Sequence, residues 1–321
     1  MSDIRRPFGL AVAQMGPVGL EESRPAVVRR LCELFREAAG RGARFVVFPE
    51  LALTTFFPRY WIDEREAVAR FFEASLPGPQ TQPLFDLARE RGMGFYLGYA
   101  ELAPDGRRFN SSALVDATGT VRGRYRKIHL PGYDKENPEA GIRNYEKKFF
   151  AVGDQGFKVW STQGTRIGMA LCNDRRWPET FRVMGLQGAE IVALGYNTST
   201  WNERWTEPPH LAMMQHLLSL QAGAYQNAAW VAAAAKAGSE DGFHLLGGSA
   251  IVSPTGEIVA QSQSDGDEVL FVNADLARGD AYRQGVFDFA RHRRTEHYGL
   301  IVDRTGVGAP LGDLDVPADT C

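Results

Sequence analysis

Residues 166–179, Arg-Ile-Gly-Met-Ala-Leu-Cys-Asn-Asp-Arg-Arg-Trp-Pro-Glu, decide the fold. The apolar run 167–171 has the length of a buried strand. The polar turn after it leads to Pro178, a residue suited to the first turn of a helix. A strand passing through a short turn into a helix is the building unit of α/β chains, which gather their ligands at the carboxyl ends of strands. Cys172 stands at such an end.

The same alternation extends outward in both directions. Residues 8–15 read as a strand, and 25–39 as an amphipathic helix with Val28, Leu31, Cys32, Phe35 and Ala38 on one face. Residues 44–48 form a short buried strand stopped at Pro49-Glu50, helices are expected over 63–75 and 82–91, and the next strand over 94–99. Segments 110–115 and 120–125 flank the turn Asp116-Ala-Thr-Gly119 and read as a hairpin. A long polar loop covers 131–143. Helices follow at 178–186 and 210–225, with strands at 190–194, 231–235, 248–252, 258–261 and 269–272. Early strands alternate with helices and later ones are joined by tight turns, so the expectation is an α/β fold with mixed sheets. No repeat or linker interrupts the chain. It is read as one domain over 1–305 with a Gly/Pro/Asp-rich tail over 306–321.

Composition narrows the function. The chain has 321 residues, 44% hydrophobic and 23% charged, with a net charge of −3, which disfavours nucleic acid or an anionic membrane as partner. No apolar segment follows the charged residues 1–6, and the longest apolar run, 228–235, is too short to span a bilayer. The three cysteines, Cys32, Cys172 and Cys321, show no paired spacing, so a reducing cytoplasm is expected rather than a disulfide scaffold. HExxH, paired CxxC and phosphate-cradling glycine motifs are all missing, so neither metal nor cofactor is expected.

Of the cysteines, Cys32 lies on a helix's apolar face and Cys321 ends the chain. Cys172, between a strand end and a helix start, is placed to act as a thiolate, although a core cysteine at a strand terminus is the plain alternative. Glu50 ends the run Phe45-Val-Val-Phe-Pro49, and Lys127 and His129 lie where a hairpin strand enters a loop. Together these residues fit one chemistry. A thiolate attacks an amide, nitrile or ureido carbon, a carboxylate moves protons, and an ammonium holds the developing charge. Pairing Cys172 with His129 is the other arrangement open at this point. Arg175 and Arg176 beside the cysteine offer planar forks for a substrate carboxylate, the alternatives being a surface pair or a salt bridge to Glu179.

Phe48-Pro-Glu50, Tyr125-Arg-Lys-Ile-His129 and Cys172-Asn-Asp174, in this order, resemble the nitrilase, or carbon–nitrogen hydrolase, superfamily. The resemblance implies an α-β-β-α sandwich, a homodimer or homotetramer, and a triad of Glu50, Lys127 and Cys172. It also implies an assisting second glutamate, matched by Glu146 in Asn144-Tyr-Glu-Lys-Lys148. Longer stretches are similar to the N-carbamoyl-D-amino acid amidohydrolases: 50–59, 98–101, 172–180, 195–198 and 297–300. That likeness implies cleavage of a small N-carbamoyl amino acid to amino acid, carbon dioxide and ammonia. Arg175 and Arg176 would then receive the carboxylate, Asn197 and Thr198 would line the pocket, and Asn173 and His129 would complete the substrate-binding set. The chain departs from that pattern at Asn144, Trp201 and Gln215, where those enzymes usually have histidine, and throughout 133–145. A plain amidase or nitrilase, or an idle binding member of the fold, are the alternatives.

Overall fold

The computed structural model describes residues 5–136, 143–200, 209–308 and 310. In chain order the first strands are β1 (Pro7–Gln14), β2 (Phe45–Val47), β3 (Phe72–Glu73), β4 (Gly94–Leu102), β5 (Arg108–Val115) and β6 (Val121–Arg126). There follow β7 (Val159–Thr162), β8 (Thr165–Leu171), β9 (Ile191–Tyr196), β10 (Trp230–Ala235), β11 (Ala237–Glu240) and β12 (Phe243–Leu246). The last are β13 (Ala250–Val252), β14 (Ile258–Gln261) and β15 (Glu268–Asp275).

Two mixed sheets result. One runs β15-β1-β2-β4-β5-β6, with β3 beside β4; the other runs β14-β13-β10-β9-β8-β7. Parallel pairs occupy the centres, β1 with β2 with β4 and β8 with β9 with β10, and antiparallel strands close the edges. The hairpin β11–β12 stands apart from both.

Alternation along the strands makes the layers. On β8, Ile167, Met169 and Leu171 meet Leu10, Val12, Val47 and Tyr96 between the sheets, while Ala170, and Cys172 just past the strand's end, pack on the side of the helices Pro178–Leu186 and Pro209–Asn227. The other sheet turns Ala11, Val46, Phe95 and Leu97 toward the helices Arg24–Gly40 and Gln82–Arg91. The order of layers is therefore helices, sheet, sheet, helices, as expected. Each buried Leu, Val or Phe in these layers contributes roughly 1.5–3 kcal/mol relative to an exposed one.

Local sequence sets the boundaries. Ser23 caps the Arg24–Gly40 helix, its Oγ accepting from the N–H of Ala26. Gly92, left-handed at φ 61°, ends the Gln82–Arg91 helix. The helix expected over 63–75 is corrected: only Arg65–Ala69 is helical, and Phe72–Glu73 pairs with β4. Phe71 and Phe72 leave helical geometry to pack on the Phe57 ring, at 4.6 and 5.6 Å between centroids. β7, β11 and β12 were not foreseen. Trp201, Cys321 and most of the 306–321 tail lie outside the described residues. No helix among those described is long and apolar enough to cross a membrane.

Candidate active site

Glu50, Lys127 and Cys172 leave the ends of three strands, and the fold brings them together. β2 hands the chain to Pro49-Glu50, β6 ends one residue before Lys127, and β8 ends one residue before Cys172. Glycines make room for the first crossing. A Cβ on Gly98 would lie 2.4 Å from the Pro49 carbonyl oxygen, and one on Gly195 would lie 2.5 Å from the Glu50 nitrogen. One glycine from each sheet thus lets the Pro49–Glu50 backbone pass between β4 and β9.

Glu50, Lys127 and Glu146 are fully buried. Lys127 Nζ donates to Glu50 Oε1 at 2.8 Å and to Glu146 Oε2 at 2.7 Å. Asn110 Nδ2 bridges the same two oxygens at 2.8 and 3.2 Å. Glu50 Oε2 accepts the backbone N–H of Asn197 at 3.0 Å, and Asn197 Nδ2 returns a bond to the Glu50 carbonyl at 2.7 Å. Glu146 Oε1 accepts from Asn144 Nδ2 at 3.2 Å, while Asn144 Oδ1 accepts the Glu146 N–H at 2.9 Å.

Burial works against the Lys127 charge, but Glu146, Glu50 and Cys172 outweigh it and raise its proton affinity above that of an ordinary lysine. Burial, then the neighbouring Glu50, raises Glu146 above the ordinary carboxylate value despite Lys127. Lys127 is therefore a fixed cation. Two of its three N–H bonds are engaged, which leaves one for a reacting atom.

Cys172 has φ 44°, a left-handed backbone that a non-glycine residue adopts only under constraint, and it opens the 3₁₀ turn Cys172–Arg176. Burial and Glu50 raise the thiol, against the opposing pull of Lys127 and Arg175, which favours the protonated sulfur and calls for a base. Its neighbours are the Asn197 carbonyl and Arg175 Nη1, each 3.8 Å from Sγ.

The turn is fixed by Asp174. Its Oδ2 accepts the Leu171 N–H at 2.9 Å and the Tyr125 hydroxyl at 2.7 Å, and its Oδ1 accepts the His129 N–H at 3.1 Å and meets His129 Nδ1 at 2.9 Å. His129 is thus engaged with Asp174 rather than with Cys172. Its ring stacks on Trp177 with centroids 4.9 Å apart. With Asn173 and Trp177 it lines a hollow of about 310 Å³ to which Glu50, Lys127 and Cys172 do not contribute.

The two arginines part company. Arg175 is buried, with Nη1 on the Cys172 carbonyl at 2.7 Å and Nη2 on Thr198 Oγ1 at 2.9 Å, and its guanidinium lies 4.8 Å from the Tyr196 ring centroid. Arg176 is exposed and donates to Asn173 Oδ1 at 3.1 Å. Among the described residues, three buried polar atoms at the site lack a hydrogen-bond partner: Arg175 Nε, Asn110 Oδ1 and Asn197 Oδ1. They provide one donor and two acceptors for a bound molecule.

Sequence reasoning singled out Glu50, Lys127, Cys172 and Glu146, and it missed Asn110 and the part Asp174 plays. The sequence offers little signal for Asn110, since β5 also carries Ser111 and Ser112. Asn144, noted only as a departure, is the immediate support of Glu146. Gln215 is exposed, and the next residue, His216, is buried against Tyr196 at 4.4 Å between centroids.

Known proteins resemble this chain in sequence and in fold. The Carbon-nitrogen hydrolase family matches residues 9–284. A nitrilase of Pyrococcus abyssi is 30% identical over 290 residues, 90% of this chain and 98% of that protein. An N-carbamoylputrescine amidase of Arabidopsis thaliana is 33% identical over 287 residues, covering 85% and 89%. A carbon-nitrogen hydrolase structure from Helicobacter pylori G27 superposes with a TM-score of 0.81 at 24% identity, covering 94% of this chain and 99% of that one, a likeness of fold. With its sandwich and a family match that spans residues 9–284, the chain belongs to the carbon-nitrogen hydrolase family of cysteine-dependent amidases and nitrilases.

Proposed function

We propose that the protein hydrolyses the carbamoyl group of small N-carbamoyl amino acids, the D hand being preferred by resemblance, with Cys172 as nucleophile. The observation that carries this reading is Arg175, a buried cation bonded to both the Cys172 carbonyl and Thr198 with Nε left over. A cation at that depth beside a nucleophile suits an anionic substrate.

Glu50 takes the proton of Cys172, and the sulfur adds to the ureido carbon. The third N–H of Lys127 holds the oxygen that becomes negative. Glu146, whose burial favours its protonated form, or Glu50 returns a proton to the departing nitrogen, and the C–N bond breaks to leave a thiocarbamate on sulfur. Water activated by Glu50 then adds to that carbon. The C–S bond breaks, Cys172 recovers its proton, and the released carbamic acid falls apart to carbon dioxide and an amine. The products are one amino acid, one ammonia and one carbon dioxide.

A second reading, an amidase or nitrilase acting on another small carboxylate-bearing molecule, is favoured by the same arginine. Both Nη atoms are already bonded within the protein, which leaves Nε and the exposed Arg176 for the carboxylate. Ammonia release from N-carbamoyl-D- and L-amino acids, ω-amides, nitriles and N-carbamoylputrescine separates the two. Turnover of the D-carbamoyl compounds alone is the expected result, and turnover only of a substrate without a carboxylate overturns both. Self-association belongs to the same proposal. Val183, Leu186, Met214, Leu218 and Tyr225 are exposed on the two helices that cover the Cys172 sheet, an apolar face suited to a second copy, and the molar mass in solution tests it.

A further inference from the structure

Three strand ends at the site meet on one residue that the reaction described above does not use. Tyr96, on β4, is fully buried between the sheets. Its hydroxyl donates to the Ala170 carbonyl on β8 at 2.9 Å and accepts the Gly195 N–H on β9 at 3.1 Å. Its backbone carbonyl accepts the Phe48 N–H at 3.0 Å, which carries the β2–β4 pairing on toward Pro49. Ala170 stands two residues before Cys172, Gly195 two before Asn197, and Phe48 two before Glu50. A residue of one sheet thus bonds two neighbouring strands of the other, close to where the nucleophile and the support of Glu50 leave them.

A hydroxyl suits this place because it donates and accepts at once, so one oxygen serves a carbonyl on one strand and an N–H on the next. Burial raises the phenol above its ordinary range, which keeps the proton available to the Ala170 carbonyl. Gly195 is also the residue whose Cβ would lie 2.5 Å from the Glu50 nitrogen. Two residues on, Asn197 holds Glu50 Oε2 through its N–H at 3.0 Å, and its carbonyl lies 3.8 Å from Cys172 Sγ.

We propose that Tyr96 is a positioning residue: its one oxygen sets the separation of the β8 and β9 ends, and through them the placement of Cys172 against Asn197 and Glu50. The proposal rests on the catalytic reading of Cys172 and Glu50. Displacing reacting groups by about 1 Å can cost roughly a hundredfold in rate, so a small change in that separation is measurable.

The test is Tyr96→Phe, which keeps the ring and removes the oxygen. Turnover is followed as ammonia release from whichever compound of the series above the wild type hydrolyses fastest, and is counted per Cys172 thiol that iodoacetamide alkylates. We expect kcat to fall about ten- to a hundredfold with KM changed less than about twofold. Phe8→Leu is the control for lost stability alone. Phe8 lies in the same layer at the start of β1, before the Leu10–Phe45 pair and so at the end of the sheet away from Glu50. That variant should lower the thermal midpoint and leave kcat unchanged. If Tyr96→Phe does not fold by circular dichroism, 4-aminophenylalanine at position 96 keeps a donor for Ala170 but accepts poorly from the Gly195 N–H, and kcat should fall about fivefold. Wild-type kcat in either folded variant at position 96, a loss confined to KM, or an equal fall of kcat in Phe8→Leu overturns the proposal. Turnover retained by Cys172→Ala would overturn the catalytic reading along with it.

Discussion

Asp174 holds His129 by two contacts at once, its Oδ1 lying 3.1 Å from the backbone nitrogen and 2.9 Å from Nδ1 of the ring. The same carboxylate accepts the Leu171 N–H immediately before the cysteine. The segment carrying Lys127 and the turn carrying Cys172 are therefore registered through one side chain. Asp174→Asn would set an amide N–H₂ against groups that mostly donate. We expect it to cost about 1–3 kcal/mol of stability by urea unfolding and to lower kcat more than its stability loss explains.

Cys172→Ala should abolish turnover with the unfolding midpoint unchanged, since alanine meets the same constraint at φ 44°. Glu50→Gln removes the base that takes the Cys172 proton in turnover and should lower kcat at least a hundredfold, while the thiol, relieved of the neighbouring carboxylate that raises it, should alkylate no more slowly than in the wild type. Turnover by Glu50→Gln at the wild-type rate would leave Glu50 without that role.

Asn110 is the only side-chain amide bonded to both glutamates among the described residues. Asn110→Ala should lower kcat roughly ten- to a hundredfold with a smaller change in KM, because the loss falls on proton-transfer groups rather than on substrate contacts. Steady-state kinetics decide it, and a change confined to KM would place Asn110 in binding instead.

Gly195→Ala and Gly98→Ala add one methyl group each, at 2.5 Å from the Glu50 nitrogen and 2.4 Å from the Pro49 oxygen. Each should destabilise by about 1–3 kcal/mol through overpacking and displace Glu50. Thermal unfolding together with kcat measures both effects.

Glu240 has burial raising its pKa, but Lys236, Arg59 and two backbone N–H groups hold it below its usual value. A carboxyl depressed in the folded state binds its proton more readily when unfolded, so its stabilisation is present above the ordinary value of about 4.5 and is lost as pH falls through the folded value. Urea unfolding between pH 6 and pH 3 should show stability falling below about pH 4.5, with a shallower fall in Glu240→Gln.

The legible parts of the chain were those governed by local pattern. The 178–186 helix and the 258–261 strand follow from Pro178 at a helix start and from apolar residues between turn signals. The glutamate and the cysteine stood out because each follows an apolar strand, and the lysine because a hairpin strand enters a loop there. The hairpin β11–β12 did not. Its Ala237-Gly-Ser-Glu240 run has no β-branched residue, and the buried Glu240 depends on distant partners such as Arg59, 181 positions away. Separation in sequence also hid Asp174, whose partners Tyr125 and His129 are 49 and 45 positions away. The helix expected over 63–75 failed because Phe57 captured its aromatic residues. In each case a non-local contact overrode what neighbours in sequence favoured.

Cys172 is 4% exposed, set at the floor of a layer closed by two helices. A sulfur able to open an amide is a hazard wherever every polypeptide is a chain of amides, this one's own included. Depth supplies the safeguard, because little of Cys172 can be touched from outside the fold. The burial that makes the thiol call for a base thus also shields neighbouring proteins from it.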